Sequence, residues 1–173
     1  HFPASKEAKN IILRMGENPE FVFEVGCPSL DLINSMEIIP KDTLQVALDT
    51  YGVGHPVSVD DAFLIAMLHP VTTDVGSSEI YASQLLDAVH KINIPCVWFW
   101  PNVDAGSSET SRAIRKFREN NPENNIRFIK NLDPEIFISL LKKSVGLVGN
   151  SSVGIRECSF LGVPVVNIGS RQR

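Results

Sequence analysis

The sequence predicts an α/β fold, a doubly wound parallel sheet of about six strands with helices on both faces. Short apolar runs at residues 62–68, 96–100, 126–129, 145–148 and 163–168 alternate with segments whose apolar residues recur at helical spacing. The runs are continuously apolar, which suits strands buried on both sides. Gly, Pro and Asn punctuate their ends, for example at Pro101-Asn102 and Gly149-Asn150.

Each element has its own reason. Residues 5–15 place Ala8, Ile11, Ile12 and Met15 on one helical face, with Gly16 as the stop. Residues 21–25 predict a short strand, ended by Gly26-Cys27-Pro28. Residues 29–35 and 41–50 read as helices, and 51–61, with Gly52, Gly54 and Pro56, as a loop. The strand at 62–68 runs into His69-Pro70. A helix at 77–92 follows, with Leu85, Leu86, Val89 and Ile92 on one side, then the strand at 96–100. Residues 108–120 predict a helix rich in Arg and Lys, followed by a polar loop and the strand at 126–129. Asp133 is a predicted N-cap with Pro134 at the first helical position, for a helix to 143. A strand at 145–148, a helix at 152–161 and a strand at 163–168 complete the series.

Composition narrows the class. At 173 residues the chain suits one domain, or one and a fragment of another, with a sizeable core. Hydrophobic residues make up 43%, charged residues 21%, and the net charge is −4, an ordinary globular balance without the basic excess of a nucleic-acid binder. Cys27, Cys96 and Cys158 form no CxxC pair and have no His at ligand spacing, so they predict buried thiols of a reducing cytoplasm and no metal site. The apolar run at 96–100 is far shorter than the ~20 residues that cross a bilayer, so no membrane partner is expected, and no signal peptide is visible. The chain starts at His1 without Met and stops at Arg173 without a closing element, which reads as a piece of a longer protein.

Residues 145–157, VGLVGNSSVGIRE, carry the strongest functional signal: an apolar strand, a tight turn, two hydroxyls and a helical start. Such a turn presents N–H groups and a helix dipole to an anion. Ser151 and Ser152 suit the capping of those amides or donation to phosphate oxygens, and Glu157 suits acceptance from sugar hydroxyls. The same residues equally fit an N-cap and a solvated glutamate. In doubly wound sheets ligands lie beyond the carboxyl ends of the strands. Those ends carry His69, Asn102, Leu132 after Lys130-Asn131, Ser151 and Ser152 after Asn150, and Arg171 after Gly169-Ser170. Taken singly, His69 fits a structural histidine, Asn102 a turn residue and Arg171 a surface charge. Together they suit a nucleoside diphosphate: serines on the phosphates, His69 and Arg171 offsetting charge, Glu157 on the ribose, and the main chain of Leu132 on the base. None is an obvious base or nucleophile for a sugar ring.

The motifs MLHPVTTD (67–74), FWPNVDAGS (99–107), GNSSVGIRE (149–157) and GVPVVNIGSRQ (162–172) resemble the hydrolysing UDP-N-acetylglucosamine 2-epimerases. That group includes bacterial sialic-acid pathway enzymes and the epimerase half of the animal bifunctional epimerase/kinase. The resemblance implies a two-lobed, glycosyltransferase-B-like fold. Residues 1–25 would be a lead-in from the N-terminal half, and 26–173 the C-terminal, UDP-binding, Rossmann-like lobe, truncated at its end. It implies that His69, Asn102, Ser151, Ser152, Glu157 and Arg171 contact UDP and that Leu132 reads uracil through its backbone. It implies no cofactor, a UDP-sugar substrate, catalytic acids and bases in the absent N-terminal lobe, and a homo-oligomer at full length. The fragment alone is then expected to be inactive.

The chain departs from the animal enzyme at Ser108, where that enzyme has a basic residue, and at Asn131, where it has a His. Both belong to that enzyme's feedback site for CMP-sialic acid, so the changes argue against such regulation and for a bacterial surface-sugar pathway. A diacetylated bacillosamine nucleotide, used in legionaminic acid synthesis, is an alternative substrate. A glycosyltransferase lobe of the same architecture is a rival enzyme reading. A response-regulator-like module is a non-catalytic rival, but it needs an acidic cluster after the first strand and a Lys near the end of the fifth, where Gly26-Cys27-Pro28 and Gly149-Asn150 stand.

Overall fold

The computed structural model describes residues 1–71, 74, 76–101 and 106–172. Asn102 therefore lies outside the described residues. The chain divides into two compact units, His1–Glu37 and Ile38–Arg173.

In the first unit, helix α1 (Lys6–Arg14) starts at Ser5, whose Oγ accepts from the Ala8 amide at 3.2 Å. Glu7 in its first turn and Arg14 in its last complement the helix dipole. Helix α2 (Pro28–Ser35) starts on a proline, which has no amide hydrogen to leave unpaired. The strand expected at 21–25 does not form. Pro19–Phe21 is a 3-10 turn, and beyond it the Phe23 amide donates to the His1 carbonyl at 2.9 Å and the Val25 amide to the Pro3 carbonyl at 3.2 Å. That spacing has the sense of a parallel ladder, but a pair this short without further neighbours does not make a sheet.

The second unit holds α3 (Lys41–Tyr51), β1 (Gly52–Gly54), β2 (Leu64–Met67), α4 (Ser78–Ile92), β3 (Cys96–Phe99), α5 (Ser107–Asn120), β4 (Ile126–Ile129), α6 (Pro134–Lys143), β5 (Gly146–Gly149), α7 (Glu157–Leu161) and β6 (Val165–Asn167). They build a six-stranded sheet in the order β1-β4-β3-β2-β5-β6. Strands β2 to β6 are parallel, with Leu64 level with Cys96 on one side and Gly146 on the other.

β1 runs antiparallel to β4 at the sheet edge, inside the segment expected to be loop. Its glycines show no apolar run, so the strand is held from outside its own sequence. Arg127 of β4 donates to the carbonyls of Leu48, Asp49 and Gly54 at 2.9–3.2 Å, tying the end of α3 to β1. A Cβ at Gly52 would overlap that guanidinium.

Both sheet faces are covered. Ala66, Trp98 and Phe128 point to a core shared with Leu85, Leu86 and Val89 of α4 and Ile114 and Phe117 of α5. On the other face Phe99 meets Phe137 of α6 edge-on, ring centres 5.2 Å apart. Asp133 occupies the N-cap of α6, but its side chain makes no capping bond; its carbonyl accepts from Phe137 at 2.9 Å. The helix expected at 152–161 is broken into a 3-10 turn, Ser152–Gly154, and the five-residue α7. Among the described residues no helix is long and apolar enough to cross a membrane.

Candidate functional site

From β2 the chain builds outward to β3 and β4, then crosses back to place β5 and β6 on the other side of β2. The direction of winding therefore reverses between β2 and β5. Loops leaving that point diverge, which opens a crevice at the carboxyl edge. His69 follows β2 directly and Asn150 follows β5.

These two residues are locked together. The His69 amide donates to Asn150 Oδ1 at 2.7 Å, and Asn150 Nδ2 donates to the His69 carbonyl at 2.8 Å. Both are buried, at 6% and 3% exposure. The Asn150 amide continues the ladder to the Met67 carbonyl at 3.0 Å. Gly149 permits this approach: its φ is +145°, and a Cβ there would overlap the Met67 carbonyl oxygen. Arg171, beyond β6, donates through Nη1 to the Asn150 carbonyl at 3.2 Å. The structure thus gathers His69, Asn150 and Arg171 from three adjacent strands.

Ser151 and Ser152 follow at once. Ser151 is buried and caps the 3-10 turn, accepting weakly from the Val153 amide at 3.4 Å. The Ser151 and Ser152 amides donate to no main-chain carbonyl among the described residues. The expected dipole of a long helix is not what faces the turn, because α7 begins only at Glu157. Loop amides and hydroxyls are the available donors instead.

Glu157 is buried to 8% exposure, with Oε1 3.4 Å from Arg156 Nη2 and Oε2 buried without a hydrogen-bond partner among the described residues. A buried carboxylate oxygen without a donor is costly, so a hydroxyl donor from outside the protein suits it.

Leu132 lies beyond β4 on the same edge and is buried, and its amide and carbonyl take part in no main-chain hydrogen bond among the described residues. Beside it, Trp100, Ser111, Arg115, Lys130 and Asn131 line a groove of about 910 Å³. Asp74, in the segment after His69, accepts from the Tyr81 hydroxyl at 2.6 Å and the Ser77 hydroxyl at 2.8 Å. Those two donors, Tyr81 first, hold its carboxyl below the ordinary range. Burial pushes the Cys158 thiol up to about 11 and the Cys96 thiol higher still. Among the described residues no cluster of His, Cys, Asp and Glu is placed to hold a metal ion.

Sequence reasoning placed Asn150 among the strand-end polar residues without giving it a role, and it missed Arg156. Asn150 looked like a turn residue, and only its pairing with His69 across the sheet reveals more. Arg156 sits four residues after Ser152 and next to Glu157, a spacing that could have flagged it.

The profile of the family described as UDP-N-acetylglucosamine 2-epimerase matches residues 1–173. The chain is 33% identical over 172 residues to the hydrolysing UDP-N,N'-diacetylbacillosamine 2-epimerase of Legionella pneumophila, covering 99% of this chain and 43% of that enzyme. It is 30% identical over 174 residues to the UDP-N-acetylglucosamine 2-epimerase of Neisseria meningitidis serogroup B, covering 99% of this chain and 42% of that enzyme. The chain thus spans less than half the length of these relatives. Its fold matches the Neisseria meningitidis UDP-GlcNAc 2-epimerase solved with UDP-GlcNAc, at a TM-score of 0.67 and 18% identity over 96% of this chain and 43% of that one. It also matches Staphylococcus aureus MnaA solved with UDP, at 0.66 and 18% over 98% and 42%. The doubly wound, glycosyltransferase-B-like class expected from the sequence is the one these neighbours share. By profile and by identity, the chain belongs to the UDP-N-acetylglucosamine 2-epimerase family.

Proposed function

We propose that this chain is the C-terminal, UDP-binding lobe of a hydrolysing UDP-N-acetylglucosamine 2-epimerase. The observation that carries the reading is the convergence of His69, Ser151 and Arg171 around Asn150 at the reversal point of the sheet. In this reading the Ser151 and Ser152 amides and hydroxyls hold the diphosphate, and His69 and Arg171 draw charge from it. Glu157 takes the ribose hydroxyls, its unpartnered Oε2 supporting that role. The main chain of Leu132 reads uracil, and Asn102 completes the set.

The chemistry follows from what these groups do. They stabilise UDP as a leaving group when the anomeric C–O bond breaks. Loss of the C2 proton to a base together with UDP gives 2-acetamidoglucal; water then returns its hydroxyl to C1 and a proton is delivered to the opposite face of C2, releasing N-acetylmannosamine. Acids and bases for those steps would come from an N-terminal lobe of the same protein, to which residues 1–25 lead. The working form would be a cytoplasmic homo-oligomer, and this chain by itself would turn over nothing.

Isothermal titration of the chain with UDP and with uridine tests the lobe reading, with UDP expected to bind more tightly. Equal affinities, or none for either, would overturn it. The second substrate reading, UDP-diacetylbacillosamine, is supported by the 33% identity to the Legionella enzyme. Assaying the longer protein with each nucleotide sugar decides between them: free UDP with N-acetylmannosamine, formed without an acceptor, supports the first.

A further inference from the structure

Arg156 is not among the residues assigned to UDP above, yet it touches two of them. Its Nη2 donates to Ser152 Oγ at 3.1 Å and lies 3.4 Å from Glu157 Oε1. One turn of chain between Ser152 and Arg156 creates this placement. The Arg156 amide donates to the Ser152 carbonyl at 3.0 Å, which brings residues 152 and 156 onto one side of the turn.

We propose that Arg156 is a diphosphate-binding cation of this loop, an inference that rests on the UDP reading. Ser152 and Glu157 stand at the phosphate and ribose ends of that reading, and the guanidinium lies between them. Ser152 accepts from Arg156, so its own hydroxyl hydrogen remains available to a phosphate oxygen. Nη1 and Nε of Arg156 have no partner among the described residues, and its side chain is 48% exposed. An exposed fork of this kind matches two oxygens of one phosphate. Charge balance points the same way. Glu157 brings a buried carboxylate beside the diphosphate, and like charges repel. Arg156 offsets that carboxylate, and Arg171 adds a second cation from the neighbouring strand's loop.

The test measures affinities of the wild-type chain, R156Q and R156K for UDP, UMP and uridine, with thermal melts to confirm folding. R156Q is expected to weaken UDP by about tenfold or more, UMP by less, and uridine by no more than about twofold. R156K, which restores the charge without the fork, is expected to recover part of the UDP affinity. Equal losses for all three ligands would mean that Arg156 acts only by orienting Glu157, and would overturn the proposal. So would an unchanged UDP affinity in R156Q. A wild-type chain that binds no UDP would sink the functional reading and this one with it, an outcome separate from wild-type binding that R156Q leaves intact.

Discussion

Asn150 grips the main chain of His69 at two points, accepting from its amide at 2.7 Å and donating to its carbonyl at 2.8 Å. The side chain imitates one more rung between β2 and β5 beyond the place where the strands diverge. Replacing it with Ala strands both buried groups of His69. Asn150→Ala is expected to cost about 1–3 kcal/mol of stability, measured by urea unfolding, and to lower UDP affinity as His69 shifts. A variant as stable as the parent would mean that the crevice repacks without this residue.

Gly149 makes that grip geometrically possible. Its φ of +145° disfavours any side chain, and a Cβ would press on the Met67 carbonyl oxygen. Gly149→Ala is expected to lose about 1–3 kcal/mol from strain alone. The same urea experiment checks it, with hydrogen exchange at the Asn150 amide as a local readout of β2–β5 pairing.

The carboxylate and the serines are expected to separate by ligand. Glu157→Gln should weaken UDP and uridine alike, by ~1.5–3 kcal/mol for bonds to a charged group. Ser151→Ala with Ser152→Ala should weaken UDP far more than uridine. Calorimetry with both ligands distinguishes these patterns. A uniform loss in the serine variant would leave the hydroxyls with only a capping role.

Asp74 supplies a pH dependence. The hydroxyls of Tyr81 and Ser77 favour its charged form and lower its pKa in the folded state. A carboxyl with a lowered folded value contributes stability above its unfolded range, and that contribution disappears as pH falls through the folded value. Tyr81→Phe removes the larger cause, so NMR titration is expected to show the Asp74 carboxyl moving up toward its ordinary value. The stability gap between wild type and Tyr81→Phe is expected to narrow as pH falls.

Much of the architecture was legible because local pattern and global burial agree. The helix expected at 77–92 appears as α4 with Leu85, Leu86 and Val89 in the core, and the strand at 126–129 appears unchanged as β4. The two misses among the strands share one cause, long-range pairing. β1 consists of glycine, valine and glycine, and exists because β4 and Arg127 hold it. The apolar segment at 21–25 had the composition of a strand but lacks a sheet to join.

The chain's own order of apolar runs, turns and caps determined that it folds as alternating strands and helices, because burial periodicity is written locally. The GNSS turn and its following glutamate were likewise visible as a polar cluster after a strand. Tertiary structure decided which of those polar residues meet. Only the return of β5 to the side of β2 brings Asn150 to His69 across 81 positions of sequence, whereas the contacts of Arg156 with Ser152 and Glu157 lie within one turn of chain. A contact set by strand order depends on the packing of the whole sheet, so no single segment encodes it.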